Sequence, residues 1–163
     1  MQMTLRSFTP GDAEALADVY RDAVRGIGPQ AYSGVQVAAW ALYPDDLEEF
    51  RLRMSRGLTL VAEEGARLIA FGQLEPDDHL SFLYCSSTHA RRGIASVIYS
   101  ALESHAVARG VAEIRAEASR ISRPFFESKG YAVIGIERVI RHEMEFERFR
   151  MLKKLGAAGW GQR

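Results

Sequence analysis

Apolar residues recur at two spacings along this chain, and each switch between them marks a new element. In "MTLRSFT", Met3, Leu5 and Ser7 alternate with Thr4, Arg6 and Phe8, the two-residue period of a strand. From Thr9 the period lengthens, and Leu16, Val19, Tyr20, Ala23, Val24 and Ile27 form one helical stripe. Thr9 and Asp12 stand at capping-box spacing, and Pro10 suits a first helical position. Ser33 and Gln36 repeat that opening signal ahead of Trp40 and Ala41. "PDDLEEFRLRMSRG" predicts a third helix that begins on Pro44, carries acids in its first turn and ends at Gly57.

The middle of the chain returns to strands. "LTLVAEE" and "RLIAFGQLE" are apolar runs joined through Gly65, a hairpin signal, and "PDD" turns the chain into the alternating "HLSFLYC". A long helix follows, with Ile94, Val97, Ile98, Ala101 and Leu102 as its predicted buried stripe and Gly110 as its stop. "VAEIRAEA" predicts a strand, "RISRPFFESKG" a short helix, and "YAVIGIERVI" and "EMEFERFRM" two closing strands. The apolar phase of the last strand slips between Phe146 and Phe149, the mark of a bulge. The order is strand, helices, three strands, helix, strand, helix, two strands. It predicts an α/β (α+β) chain with one mixed sheet and helices on its faces.

Composition narrows the functional classes. The 163 residues suit a single domain over 1–154, with 155–163 as a loose tail. Basic and acidic residues both number 21, so no net field draws the chain to nucleic acid or an anionic membrane. The one cysteine, Cys85, excludes an internal disulfide framework and suits a reducing compartment. With no signal-like apolar run near the start and no apolar stretch of bilayer length, a cytoplasmic protein is expected. His89, His105 and His142 lack ligand spacing, so no metal site is expected.

Chemistry enters at "STHARRGIASVIYSALE", where Arg91, Arg92 and Gly93 stand at the opening of the long helix. The first N–H groups of a helix lack partners and its dipole is positive there, so anions are favoured. Glycine lets a phosphate approach the backbone, and arginine adds charge-assisted donors. Neither common phosphate-loop fingerprint, GxxxxGK[ST] or GxGxxG, is present. The strand-loop-helix "LYCSSTHARRGIASVIYSALE" instead resembles the acyl-CoA signature of the GNAT superfamily of N-acetyltransferases. Gly93 and Ala95 match the signature's small residues, while Ala90 stands where Gln or Arg is commonest. "LRSFTPGDAEALADVYRDAV" is similar to the family's first strand and helix, and "RPFFESKGYAVI" to its last helix and following strand. "YSGVQVAAWA", "EASRISRPFFESKGY" and "FERFRMLKKL" resemble the YafP-like bacterial subgroup.

The resemblance implies a GNAT-like sheet split open where acetyl-CoA enters. It places the pyrophosphate on the backbone N–H groups of Arg91, Arg92, Gly93, Ile94, Ala95 and Ser96, and the pantetheine arm beside Leu83, Tyr84 and Cys85. The Leu83 N–H falls where the family polarises the thioester carbonyl. Ser119 takes the place of a CoA-contacting Asn, with Phe126 and Lys129 lining the other side of the arm. Tyr32 and Trp40 frame the acceptor, as an aromatic wall or as ordinary packing. Many members protonate the thiolate with a tyrosine four residues before the glycine that ends the last helix; here that position is Phe126. Tyr84 is the nearest substitute acid, or else a satisfied wall aromatic. His79 is the expected base or a turn cap, with Glu75 and Glu117 in reserve; Cys85 reads as core. The implied reaction is acetyl transfer to a primary amine of a small molecule, peptide or protein in a ternary complex. A CoA-binding sensor with little catalysis is the alternative, and the fold allows a homodimer.

Overall fold

A computed structural model describes residues 2–155. Seven strands form one sheet: β1 (Met3–Ser7), β2 (Leu58–Glu64), β3 (Arg67–Leu74), β4 (His79–Cys85), β5 (Glu113–Ala118), β6 (Ala132–Arg141) and β7 (Met144–Lys154). Their order across the sheet is β1-β2-β3-β4-β5-β7-β6, and every pairing is antiparallel except β4 with β5. The helices α1 (Ala13–Ile27), α2 (Gly34–Ala41), α3 (Leu47–Met54), α4 (Ile94–Ala108) and α5 (Arg123–Ser128) cover its two faces.

Two apolar clusters show which helix covers which face. On one, Leu16, Tyr20 and Val24 of α1 and Phe50 and Met54 of α3 pack on Val61, Phe71 and Phe82. On the other, Ile94, Ile98 and Leu102 of α4 pack on Ile69, Leu74, Ile114 and Met151. The α4 stripe is rotated from the predicted one. Val97 is exposed, whereas Tyr99 is buried and donates its hydroxyl hydrogen to Tyr131 Oη at 3.2 Å. The third helix also starts later than Pro44. Asp46 Oδ1 accepts from Glu49 N–H at 3.1 Å and supplies the cap, while Pro44 lies in the preceding 3₁₀ turn Tyr43–Asp45.

The predicted bulge in the last strand is misplaced. Phe146 and Phe149 pair in regular register with Val139 and Ile136, and the irregularity falls on β6 between Val133 and Gly135. Leu155 is buried, its N–H bonded to Ala112 O at 2.7 Å; the rest of the predicted tail lies outside the described residues.

The parallel seam positions the site. β4 and β5 pair only as His79↔Arg115 and Leu80↔Ala116, the first two residues of β4 against the middle of β5. Beyond Leu80, β4 follows β3 and β5 follows β7, leaving a wedge between them. A bulge on β4 marks the parting: Phe82 pairs with Gln73 and Leu80 with Leu74, so Ser81 is the extra residue.

Gly72 brings α4 onto this part of the sheet. A Cβ there would lie 2.8 Å from Ile98 Cγ2 and 3.0 Å from Leu102 Cδ1. Replacing Gly72 with Val is therefore expected to destabilise the protein by about 1–3 kcal/mol through overpacking. Urea unfolding measures this, and an unchanged midpoint would contradict the close approach.

Candidate active site

The wedge opens into a cavity of about 690 Å³ that reaches both faces of the sheet. The β4 register explains what its wall offers. Ser86 N–H donates to Ile69 O at 2.8 Å, so the alternation of an antiparallel ladder turns the amides of Tyr84 and Phe82 toward β3. Leu83 and Cys85 then turn their N–H and C=O groups toward the wedge, where β5 has already diverged.

At one end of the wedge stands the α4 N-terminus. The first helical bond runs from Val97 N–H to Gly93 O at 3.1 Å, which leaves the amides before it without intrahelical partners. Gly93 has φ +81°, a left-handed conformation natural to glycine, and a Cβ there would meet no atom within 4 Å. Arg91 is also left-handed, at φ +64°. The open backbone, the free amides and Arg91 together fit a diphosphate.

The two arginines differ in position. Arg91 lines the cavity, whereas Arg92 is drawn to Glu64 Oε2 at 3.2 Å and lies off the wall. The same Glu64 meets His89 Nε2 at 3.3 Å, so this carboxylate organises the loop before α4. Lys129 is likewise off the wall: α5 ends at Ser128, and the Lys129 ammonium lies 5.3 Å from the Phe125 ring centre. Ile94, Ala95, Ser96, Ser119 and Phe126 do line the cavity. The Ser119 hydroxyl already serves the turn into α5, accepting from Ser122 N–H at 3.0 Å.

The α1–α3 end of the cavity is aromatic. Tyr32 is buried, accepts Arg120 N–H at its hydroxyl at 3.0 Å and meets Trp40 edge-on at 5.5 Å. Tyr84 stacks on Phe71 at 5.7 Å and lies 4.6 Å from Tyr20 between ring centres. Burial pushes the Tyr84 hydroxyl above its ordinary range, which weakens it as a proton donor. Burial also raises the Cys85 thiol, to about 11.

His79 and Glu117 come together across the seam. The parallel register sets His79 beside Arg115, and Glu117 follows two residues later on the same face. His79 Nε2 lies 2.8 Å from Glu117 Oε1, and Nδ1 lies 3.1 Å from Glu75 O. Both partners are acceptors, so the ring satisfies both only when it carries two protons. The hydrogen bond from His79 holds the Glu117 carboxyl below its ordinary value despite burial, with Arg148 and Arg115 adding to the effect.

Sequence reading did not single out Gln73, Ser81 or Arg53. Gln73 is fully buried; its amide donates to Arg53 O at 2.8 Å and Arg56 O at 3.0 Å, and its carbonyl accepts from Ser81 Oγ at 2.7 Å. A glutamine inside the apolar run "RLIAFGQLE" was the available signal.

A sheet parted between two parallel strands, beside a helix start suited to a diphosphate, offers a seat for a ligand with a diphosphate and an extended arm. A family model described as the acetyltransferase (GNAT) domain matches residues 29–153. The chain is 27% identical over 151 residues to the uncharacterized N-acetyltransferase YafP of Escherichia coli K12, covering 92% of this chain and 95% of that protein. A GCN5-related N-acetyltransferase structure from Rhodopseudomonas palustris matches with TM-score 0.90 and 30% identity, over 95% of this chain and 99% of that one. PaiA N-acetyltransferase of Thermoplasma acidophilum, solved with coenzyme A, shares the fold at TM-score 0.77 and 20% identity, over 95% and 100% of the chains. The chain belongs to the GNAT family and is an acetyl-CoA-dependent N-acetyltransferase.

The Glu117 shift has a definite sign for stability. Its folded value lies below the ordinary 4.5, so its contribution is complete above about 4.5 and is lost as pH falls through the folded value. The stability gap between wild type and Glu117→Gln should therefore narrow as pH falls below about 4.5 in urea unfolding. A gap independent of pH would contradict the ion pair.

Proposed function

We propose that this protein moves the acetyl group of acetyl-CoA onto a primary amine of a small molecule, peptide or protein, with both substrates bound together. One observation carries the reading: the sheet opens past Leu80 beside the free amides of α4. In this reading the amides from Gly93 to Ser96, with the Arg91 guanidinium, hold the diphosphate of coenzyme A. The edge of β4 at Leu83 and Cys85 pairs with its pantetheine arm. Bound there, the cofactor supplies an activated thioester.

The chain's own groups supply the rest. Leu83 N–H faces the developing oxyanion, and such a donor contributes about 10²–10³ in rate. A free amine with an ordinary pKa near 10.4 is protonated at neutrality, so a base must remove that proton before attack. The His79–Glu117 pair is assigned as that base: the neutral ring takes up the amine's proton and so reaches the doubly protonated form whose two N–H groups Glu117 and Glu75 O both accept. Glu117 also offers a carboxylate that attracts an ammonium group. Tyr84, buried and reluctant to ionise, is assigned to the wall. Tyr32 and Trp40 flank the acceptor. The single unpaired thiol suits a cytoplasmic enzyme, and exposed Ile134, Ile136 and Ile140 on edge strand β6 offer a homodimer surface.

A second reading, a CoA-binding sensor, draws on Phe126. It packs at 5.1 Å between ring centres from Tyr131 and presents no hydroxyl to a departing thiolate. Binding and turnover separate the two. Acetyl-CoA at 100 times its Kd should stabilise the protein by about 2.7 kcal/mol, whereas ATP and NAD should not. Gly93→Glu should remove that stabilisation, by charge and by the strain of a side chain at positive φ. Thiol release across an amine panel should then fall about 10²–10⁴-fold in His79→Ala. Binding without release on any amine would favour the sensor, and no stabilisation by acetyl-CoA would overturn both readings.

A further inference from the structure

Arg53, near the C-terminal end of α3, has a head group that no carboxylate among the described residues neutralises. Its guanidinium lies over the Phe82 ring, with Cζ 5.5 Å from the ring centre, and the residue lines the cavity. Among the described residues no carboxylate lies within 4.0 Å of it. Its Nε is the one buried side-chain nitrogen or oxygen without a hydrogen-bond partner among the described residues. Among the described residues the two terminal amino groups also have no hydrogen-bond partner but are not sealed off, so they are the donors left to meet a ligand.

Three other basic groups around the cavity are engaged with carboxylates. His79 is held by Glu117, His89 by Glu64, and Arg148 by Glu137 at 2.5 Å. Arg91 stands at the α4 opening, on the diphosphate side, and Arg141 donates to Ile140 O at 3.0 Å. A partly buried guanidinium without a counter-ion is costly, since burial penalises charge that nothing offsets. The side chain is nonetheless held. Arg53 O accepts from the buried Gln73 amide, and the Phe82 face orients the guanidinium plane. A planar fork with two free amino groups matches the two oxygens of a carboxylate.

We propose that Arg53 determines acceptor specificity by binding a carboxylate, so that the amine acetylated by this enzyme is a small amino-carboxylate. The proposal rests on the transferase reading for the role of acceptor, while the carboxylate site itself does not. The cavity would then complement both ends of a zwitterion, with Glu117 toward the ammonium and Arg53 toward the carboxylate. Phe82, beneath the guanidinium, directly precedes Leu83 on β4, so the carboxylate site lies one residue along the strand from the oxyanion donor assigned above.

Two experiments test this. In the first, thiol release from acetyl-CoA is measured for amines paired with and without a carboxylate, such as phenylalanine with phenylalaninamide and 4-aminobutyrate with butylamine. Wild type should favour the carboxylate member of at least one pair by about tenfold or more in kcat/KM, mostly through KM. Arg53→Met should erase that preference, and Arg53→Lys should keep part of it. Turnover without a carboxylate preference in any pair, or a preference that survives in Arg53→Met, overturns the proposal and leaves the transferase reading intact.

The second experiment needs no catalysis. Benzoate should raise the Tm of wild type, and benzamide should not. Arg53→Met should lose the benzoate response; where that variant does not fold, the benzoate–benzamide contrast in wild type and Arg53→Lys decides. Equal responses to benzoate and benzamide overturn the carboxylate site. A benzoate response with no thiol release on any amine would confirm the site while removing the transferase reading.

Discussion

The buried amide of Gln73 bonds at once to the end of α3 and to the bulged residue of β4. That network holds Ser81 as an extra residue, and the strand leaves its parallel neighbour beyond Leu80. Without the parting, the Leu83 amide would be consumed by a sheet ladder, and the cavity would close into an ordinary core. A buried glutamine is tolerated there because each of its polar atoms is answered; an unanswered one costs about 1–3 kcal/mol. The site therefore depends on a polar knot inside an apolar sheet.

Packing and electrostatics contribute unequally to the helix that faces this opening. Ile98 and Leu102 are fully buried, and each such side chain stabilises by about 1.5–3 kcal/mol. The field at a helix start is worth only about 0.3–1 kcal/mol when exposed. Apolar contact around Gly72 thus decides where α4 sits, and the anion-favouring amides follow from that placement. Glu64 refines the loop by drawing Arg92 to one side and holding His89, while Arg91 stays with the cavity.

Most of the element order was legible because it rests on local signals: capping boxes at Thr9 and Ser33, glycines after Glu64 and Arg109, alternation in "HLSFLYC". The strand and helix flanking the anion site were legible for the same reason. Errors arose where one local signal displaced another or where a tertiary contact overrode the pattern. Asp46 displaced Pro44 as the start of α3, and a hydroxyl pair with Tyr131 rotated Tyr99 into the core in place of Val97. Pairings across the sheet were not legible at all. His79 and Glu117 are 38 residues apart, and only the parallel register brings them to 2.8 Å. Arg53 looked like one more charge in "EEFRLRM", since its lack of a counter-ion is a property of the folded cavity.

Cys85 lines the cavity proposed as the seat of a thioester. A thiolate in that position would compete with the acceptor and carry off the acyl group itself, inactivating the enzyme by self-modification. With its proton held to about pH 11, that side chain stays a spectator at neutrality. The apolar surroundings that make the notch a poor place for charge thereby guard it against its own strongest latent nucleophile.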